Sequence, residues 1–483
     1  MGRILAGLET EYGLHIEGQG AGEQIDNSAS LVRSLPNQRG ISVWNYRYES
    51  PRADLRGFAV ERLNSDPEDA QFDRGRVRVE DAETRSDRLL VSGGRFYNDH
   101  GHPEYSTPEC WGLQELVAHD ALGEVMALEA AQRYAQMSGA KVSLYKNNTD
   151  FHGAAYGTHE NYLIPRTIPF QELVRALVPI LIARTILCGA GKVGAESGDW
   201  CDFQLSQRAD FFTELASVDT LYRRPILNTR DEPHANPGQW VRLHVISGDA
   251  NMLPTSTRMK VLCVKLVDAL LQVGEAPFWD VTRPTEAFRK VSRGLDGDPR
   301  IELATGSWTT SRSILETLFD TSEKFLRLDD ETTEAIAIAR ALLDQLSTDF
   351  DAFATKVDWA AKRRLLQLVS DEEGIPWGDR RLQSYDLEYH NIDPEVGLMF
   401  ALREMGAVEP GAAKAALPTS RAGIRALAVQ NYREHVVTGC WRTLTMRRSD
   451  GREVELELDP TREVDVEASD FGDVDAFIDF ISA

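Results

Sequence analysis

Arg95-Phe96-Tyr97-Asn98-Asp99 places ionisable side chains at every second position, and that period limits the folds open to the chain. Successive side chains on a strand point to opposite faces, so Arg95, Tyr97 and Asp99 share one face of a sheet. That face presents a guanidinium, a phenol and a carboxylate together. Glu104 follows just past Gly101 and Pro103, which bend the chain. A surface strand with scattered charges remains the plain alternative. The density of ionisable groups between apolar strands favours a site.

Three further stretches carry chemistry. Glu9 and Glu11 lie on one face of the strand that opens the chain, and two such carboxylates repel unless a cation or an arginine lies between them. Magnesium held between carboxylates and nucleotide phosphates would relieve that repulsion; a solvated edge strand would avoid it. Lys146-Asn147-Asn148-Thr149-Asp150, followed by Gly157-Thr158-His159-Glu160-Asn161, suits a second metal or phosphate contact. There His159 is either a ligand or a satisfied core histidine. Asn228-Thr229-Arg230-Asp231-Glu232-Pro233-His234 and Arg242-Leu243-His244 offer arginine forks for phosphate, or an internal Arg–Asp network. A Walker A loop, a GxGxxG after a strand, HExxH and GxSxG are all missing from the sequence, which removes the commonest nucleotide-loop, metalloprotease and serine-hydrolase readings.

The formal charge of -23 argues against non-specific nucleic-acid binding, which needs a basic footprint. No apolar run is long enough for a membrane span; Leu173 to Ala190 is interrupted by Arg175 and Arg184. Met1-Gly2-Arg3 leads straight into a short apolar strand, unlike a secretory leader. The five cysteines are far apart with no CxxC pair, which fits a reducing, cytoplasmic setting without a zinc or disulfide framework.

The periodicity predicts a strand ending in a turn at Gly13, a helix around 28–34 and a β-rich segment with Trp44, Tyr46 and Tyr48 alternating. A charged, mobile loop is expected over 58–87, either gating a site or inserted on the surface. Strand, turn and strand follow from Leu89 to Asp99, then a long helix over 114–137 and strands at 142–145 and 159–164. Helices are expected near 170–186, 258–273 and 311–370, and a hairpin turning at Ser449-Asp450-Gly451. The fold class is α+β: an antiparallel sheet with helices on one side, spanning 1–414, and a smaller C-terminal unit over 415–483.

Six motifs in order, Glu9-Thr10-Glu11-Tyr12-Gly13, Asp99 through Cys110, Lys146-Asn147-Asn148, His159-Glu160-Asn161-Tyr162-Leu163, Gln204-Leu205-Ser206-Gln207-Arg208 and Asn228 through Ala235, resemble the Pup ligase/depupylase family. That family acts on the prokaryotic ubiquitin-like protein Pup and has a glutamine-synthetase-like (carboxylate–amine ligase) fold. The resemblance runs to about residue 450. Tyr48-Glu49-Ser50-Pro51-Arg52-Ala53-Asp54 and the charged stretch after it look like the depupylase branch, which removes Pup from proteins and deamidates its C-terminal glutamine. Asn98 departs from the family, where a small apolar residue is more familiar.

The resemblance implies Glu9, Tyr97 and Glu104 as magnesium contacts, with Glu11 and His159 as additional ligands. It implies Arg95, Thr107 and Trp441 at the nucleotide and Asp99 as the catalytic carboxylate; chemistry alone adds Arg230 and Arg242 at the nucleotide. The implied cofactors are ATP (or ADP plus phosphate) and Mg2+. The implied partners are Pup or a Pup-like protein and pupylated proteins, with no nucleic acid and no membrane. A Pup–protein ligase working through a glutamyl phosphate, or a small-molecule carboxylate–amine ligase, would use the same residue types.

Overall fold

A computed structural model describes residues 4–61, 63, 86–151, 155–196, 198, 200–220, 223–295, 298–465 and 471–483. Most of the charged loop expected over 58–87 lies outside the described residues. The main sheet has nine strands: β1 (Ala6–Glu11), β2 (Gly40–Ile41), β3 (Arg88–Leu90), β4 (Arg95–Asp99), β5 (His102–Ser106), β6 (Thr158–Pro165), β7 (Glu214–Ser217), β8 (Pro225–Asn228) and β9 (Trp240–Val245). Their spatial order is β7-β8-β9-β6-β1-β5-β4-β3-β2. All neighbours are antiparallel except the edge pair β7 and β8.

The alternation expected of a one-sided sheet is present on β1 and β6, whereas β4 and β5 are buried on both faces apart from Asp99 and His102. On β1, Ala6, Leu8 and Thr10 are buried while Gly7, Glu9 and Glu11 are half-exposed. On β6, Thr158, Glu160, Tyr162 and Ile164 are buried while His159 and Asn161 are half-exposed. The buried face packs on helices α1 (Gln24–Arg33), α2 (Leu113–Ser138), α3 (Phe170–Ala183) and α4 (Pro254–Gln272). Their apolar side chains, such as Leu116, Leu177 and Leu266, join Leu8 and Ile164 in the largest core. No helix among the described residues is long and apolar enough to cross a membrane.

Three readings change. The chain does not turn away at Gly13; it continues as a short strand, Gly13–Ile16, paired with Val142–Tyr145. Gly13 is needed there because a Cβ would stand 2.6 Å from the Tyr156 hydroxyl. The first helix begins earlier than expected, at Gln24. Trp44, Tyr46 and Tyr48 form no strand; Trp44 makes one isolated bridge to Gly439, and Trp44 and Tyr46 gather instead around the Arg95 guanidinium. Aromatic spacing of two served a cation here, not a ladder.

The turn between β4 and β5 is two residues long, His100 and Gly101, at φ 45° and 93°. Positive φ at both central positions is the two-residue hairpin geometry that follows the twist of the strands. The buried side-chain carbonyl of Asn98 accepts the Gly101 N–H at 3.2 Å and braces the turn. A small apolar residue could not do this.

The end of the chain forms helix α5 (Arg421–Asn431), a three-stranded antiparallel sheet over 436–457 and a last helix, Val474–Ser482. The expected hairpin turns at Gly451, φ 89°. Ile424, Leu444, Leu456 and Phe477 pack here together with Leu89 of β3.

Beneath β6 the fully buried Glu160 takes both arms of Arg184, which closes α3, at 2.8 and 2.5 Å, and the Tyr162 hydroxyl at 2.6 Å. Arg184→Met leaves that carboxylate buried without its cation and is expected to cost about 3–5 kcal/mol. Urea unfolding checks it; a loss under about 1 kcal/mol would show that water or another cation reaches Glu160.

Candidate active site

Register brings the ionisable side chains together on one face. Glu11, Glu104 and Tyr97 stand opposite one another across β1, β5 and β4, and Glu9, Ser106 and Arg95 form the next row. On the other flank Glu9 faces His159, and Asn161 faces His244 of β9. Residues directly opposite across an antiparallel pair share a face, so one surface carries Glu9, Glu11, Tyr97, Asp99, Glu104, His159 and His244. Asp99 sits at the mouth of the hairpin, where the turn lifts it to the rim.

Among the described residues, two groups can hold a metal ion. One is Glu11, Asp99 and Glu104; the other is Glu9, His159 and His244; within each, the donor atoms lie within 4.8 Å of one another. Burial and the neighbouring carboxylates of Asp99, Glu9 and Glu11 push the Glu104 carboxyl well above the usual range. It therefore holds a proton, or a cation stands in for that proton. Carboxylate oxygens at this spacing fit a hard divalent cation such as magnesium. The Tyr97 hydroxyl donates to Glu104 Oε1 at 2.6 Å, and burial beside Glu104 pushes its own ionisation up. Tyr97 thus reaches the site as a neutral phenol that orients Glu104. Glu11 accepts the Gly157 N–H at 2.6 Å.

Glu9 behaves in the opposite way. Burial alone would raise its pKa, but the bond to His159 Nδ1 at 3.3 Å and the charge of Arg242 outweigh burial and hold it below the ordinary value. Arg242 Nη1 lies 3.4 Å from Glu9 and donates to the Asn161 carbonyl oxygen at 3.0 Å, while Nη2 donates to Glu232 at 3.0 Å. His244 Nδ1 meets that same Asn161 oxygen at 2.8 Å. An oxygen that only accepts requires a proton on Nδ1, which leaves Nε2 with its lone pair. Burial and Arg242 hold the His244 imidazolium well below its usual pKa, so the ring is neutral.

A cavity partly open to solvent adjoins Glu9, lined among others by Gly7, Glu9, Thr107, Arg242, Arg421 and Trp441. Of the residues expected at a nucleotide, Thr107, Arg242 and Trp441 line it, and the Thr107 oxygen accepts the Leu8 N–H at 3.0 Å. Arg95 and Arg230 do not line it. Arg95 is buried between the Tyr97 and Trp44 rings, 3.9 and 4.2 Å from their centres, and paired with Asp87 and Glu49. Arg230 donates to the Val218 carbonyl and the Thr220 hydroxyl, each at 3.1 Å.

The Lys146-Asn147-Asn148 stretch serves the interior, not a phosphate. Lys146 is buried against Asp120 and Glu124 at 2.7 Å each, and Asn148 bonds Gln207, Tyr156 and Ala250. The Arg–Asp network exists as well, as the Arg166–Asp231 fork at 2.9 and 2.6 Å. Sequence reasoning left His244, Asn161 and Asp87 without roles. His244 alternates with Arg242, and Asn161 with His159, so period two could have found both; Asp87 carries no such signal.

The family described as "Pup-ligase protein" matches residues 3–445. A depupylase of Acidothermus cellulolyticus is 35% identical, with 91% of this chain and 90% of that protein covered. A Pup deamidase/depupylase of Mycobacterium tuberculosis is 37% identical over 85% of this chain and 82% of its own. A Pup–protein ligase of Corynebacterium jeikeium is 36% identical over 76% and 85%. The ligase PafA in complex with Pup superposes with a TM-score of 0.78 at 26% identity, covering 99% of this chain and 91% of that one. PafA in complex with ADP gives 0.72 at 27% identity, covering 88% and 96%.

The crowded carboxylates make a pH prediction. A folded-state carboxyl raised above its unfolded value contributes stability that is full below the unfolded pKa and lost as pH rises through the folded one. In metal-free protein, the stability of the parent relative to Glu104→Gln should therefore decline as pH climbs above about 4.5. Saturating magnesium should flatten that decline. Melting curves from pH 4 to 9, with and without magnesium, check it; a rising difference would reverse the sign of the assigned shift.

Proposed function

The chain belongs to the Pup-ligase protein family, and from that premise we propose that it is an ATP- and magnesium-dependent depupylase and Pup deamidase of the cytoplasm. It would cleave the isopeptide bond between the C-terminal glutamate of Pup and a substrate lysine, or the side-chain amide of a C-terminal glutamine of Pup. The observation that carries this reading is the convergence of Asp99, Glu104, Glu11 and Glu9 on one sheet face beside a cavity walled by Thr107 and Trp441. Direction across the bond follows the relatives: the depupylases named above are covered over more of this chain than the ligase is. The division into 1–414 and 415–483 is proposed with it, the C-terminal unit supplying Trp441.

The residues fit the cofactors. Glu9, Glu11, Tyr97, Glu104 and His159 would hold magnesium, with Tyr97 also orienting Glu104 and Asn161 orienting His244. Bound magnesium would neutralise phosphate charge and orient the terminal phosphate. Thr107 and Trp441, on the cavity wall, would hold the nucleoside, the Trp441 ring taking its base. Arg242, balanced by Glu9 and Glu232, lines the same cavity and would add positive charge beside the phosphates. Arg95 contributes by holding Tyr97 and Trp44 in place. Asp99 attacks the amide carbonyl or takes the proton of the attacking water, and its place on the hairpin rim suits both.

Asp99→Asn should abolish release of free Pup from a pupylated protein, by at least about a thousandfold, while ATP affinity stays within about threefold, because an amide is neither base nor anionic nucleophile. Gel analysis of a purified conjugate with ATP and magnesium reads it, and near-parental turnover would remove Asp99 from the reaction. Formation of conjugates from Pup and protein, with no release, would favour ligation instead.

Glu9→Ala should weaken ATP binding by about tenfold, partly restored by excess magnesium. A calorimetric titration with unchanged affinity and magnesium dependence would return Glu9 to a structural part, set by Arg242.

A further inference from the structure

Ser106-Thr107-Pro108-Glu109-Cys110 gives Thr107 to the cavity wall, yet the chemistry above leaves Glu109 without a task. Its carboxylate is held by two buried guanidiniums of α5: Arg421 Nε donates at 2.8 Å, and Arg425 pairs with the other oxygen. Arg425 also donates to the carbonyls of Gly93 and Trp441, at 3.1 and 3.2 Å. Its guanidinium lies 5.0 Å from the Trp441 ring centre. Trp441 meets Trp44 edge-on at 5.1 Å, and Trp44 receives the Arg95 guanidinium at 4.2 Å. Arg95 covers Tyr97 at 3.9 Å.

These contacts make one continuous stack, Tyr97–Arg95–Trp44–Trp441–Arg425. Glu109 anchors one end; Asp87 and Glu49 anchor the other. Trp44 Nε1 also donates to Glu49 at 3.2 Å, which sets the rotation of its ring. The stack runs from the carboxylate face, through the site wall, into the C-terminal unit. Each ring lies against a cation or another ring, the arrangement their quadrupoles favour.

We propose that Trp44, Arg425 and Glu109 are positioning residues for the nucleotide. Acting through Trp441, they hold the ring that takes the base at a fixed distance from the carboxylates that take the phosphates. A ring already immobilised by its neighbours loses little freedom when a base settles on it, so the benefit appears in affinity. The inference rests on the nucleotide reading above and deepens it.

Calorimetric ATP titrations in saturating magnesium test it on the parent, Trp44→Leu, Trp44→Phe, Glu109→Gln and the Trp44→Leu/Glu109→Gln pair. Each of Trp44→Leu and Glu109→Gln should weaken ATP by about fivefold or more, the scale of a cation–π contact, with Trp44→Phe largely restoring it. Because both act through Trp441, the pair should be no weaker than the worse single variant. Turnover at saturating ATP should stay within about twofold, since uniform binding is what is lost. Lower melting temperatures with unchanged ATP affinity would overturn the proposal, as would losses that multiply in the pair. If Glu109→Gln does not fold, Trp44→Leu against Trp44→Phe decides alone. A parent chain that binds no ATP would overturn the nucleotide reading itself, and this inference with it.

Discussion

Glu9, Glu11, Asp99 and Glu104 are crowded on one face of a sheet, and their mutual repulsion is the constraint the rest of the structure answers. Register makes the crowding unavoidable, because Glu11 stands opposite Glu104 and Glu9 lies one row away. At 4 Å two like charges repel by about 4 kcal/mol near a protein surface, so several together need countercharge or protons. The chain supplies both in different places. Arg242 and His159 hold Glu9 ionised, while Glu104 is buried among carboxylates and pushed towards its neutral form. The division leaves a fixed anion on one side and a group that exchanges its proton for a cation on the other.

Everything around that face acts to keep it rigid. The buried side of each strand packs on helices, and under β6 the Arg184–Glu160 pair fixes the strand that carries His159 and Asn161. The hairpin that presents Asp99 is held by a turn with two positive φ values and by Asn98 beneath it. Trp441, whose carbonyl accepts from Arg425, lines the adjoining cavity. A site of repelling charges needs such support, since any slack would let the carboxylates move apart.

Period-two spacing made much of this legible before any coordinates. It put Arg95, Tyr97 and Asp99 on one face, and Glu9 with Glu11, because alternation is a property of the strand itself. It failed at Trp44, Tyr46 and Tyr48, whose alternation serves a buried guanidinium and no ladder. Strand pairing across the chain was not legible: nothing local announces that Glu9 faces His159 or that Asn161 orients His244, because register is settled by the packing of the whole sheet. The same limit hid the interior fate of Lys146, whose partners Asp120 and Glu124 sit on a helix earlier in the chain. The position of the Arg95 guanidinium between the Trp44 and Tyr97 rings was likewise not legible, because Trp44 is remote in the chain.

The proposed function requires this face to be a divalent-cation site shared with a nucleotide. The most direct measurement is anomalous diffraction from crystals of the full chain grown with ADP and manganese. The expected result is manganese within ligand distance of Glu104, with Glu11 beside it, and of Glu9 with His159, while ADP fills the cavity walled by Thr107 and Trp441. Ordered ADP in that cavity with no manganese on these carboxylates would contradict it.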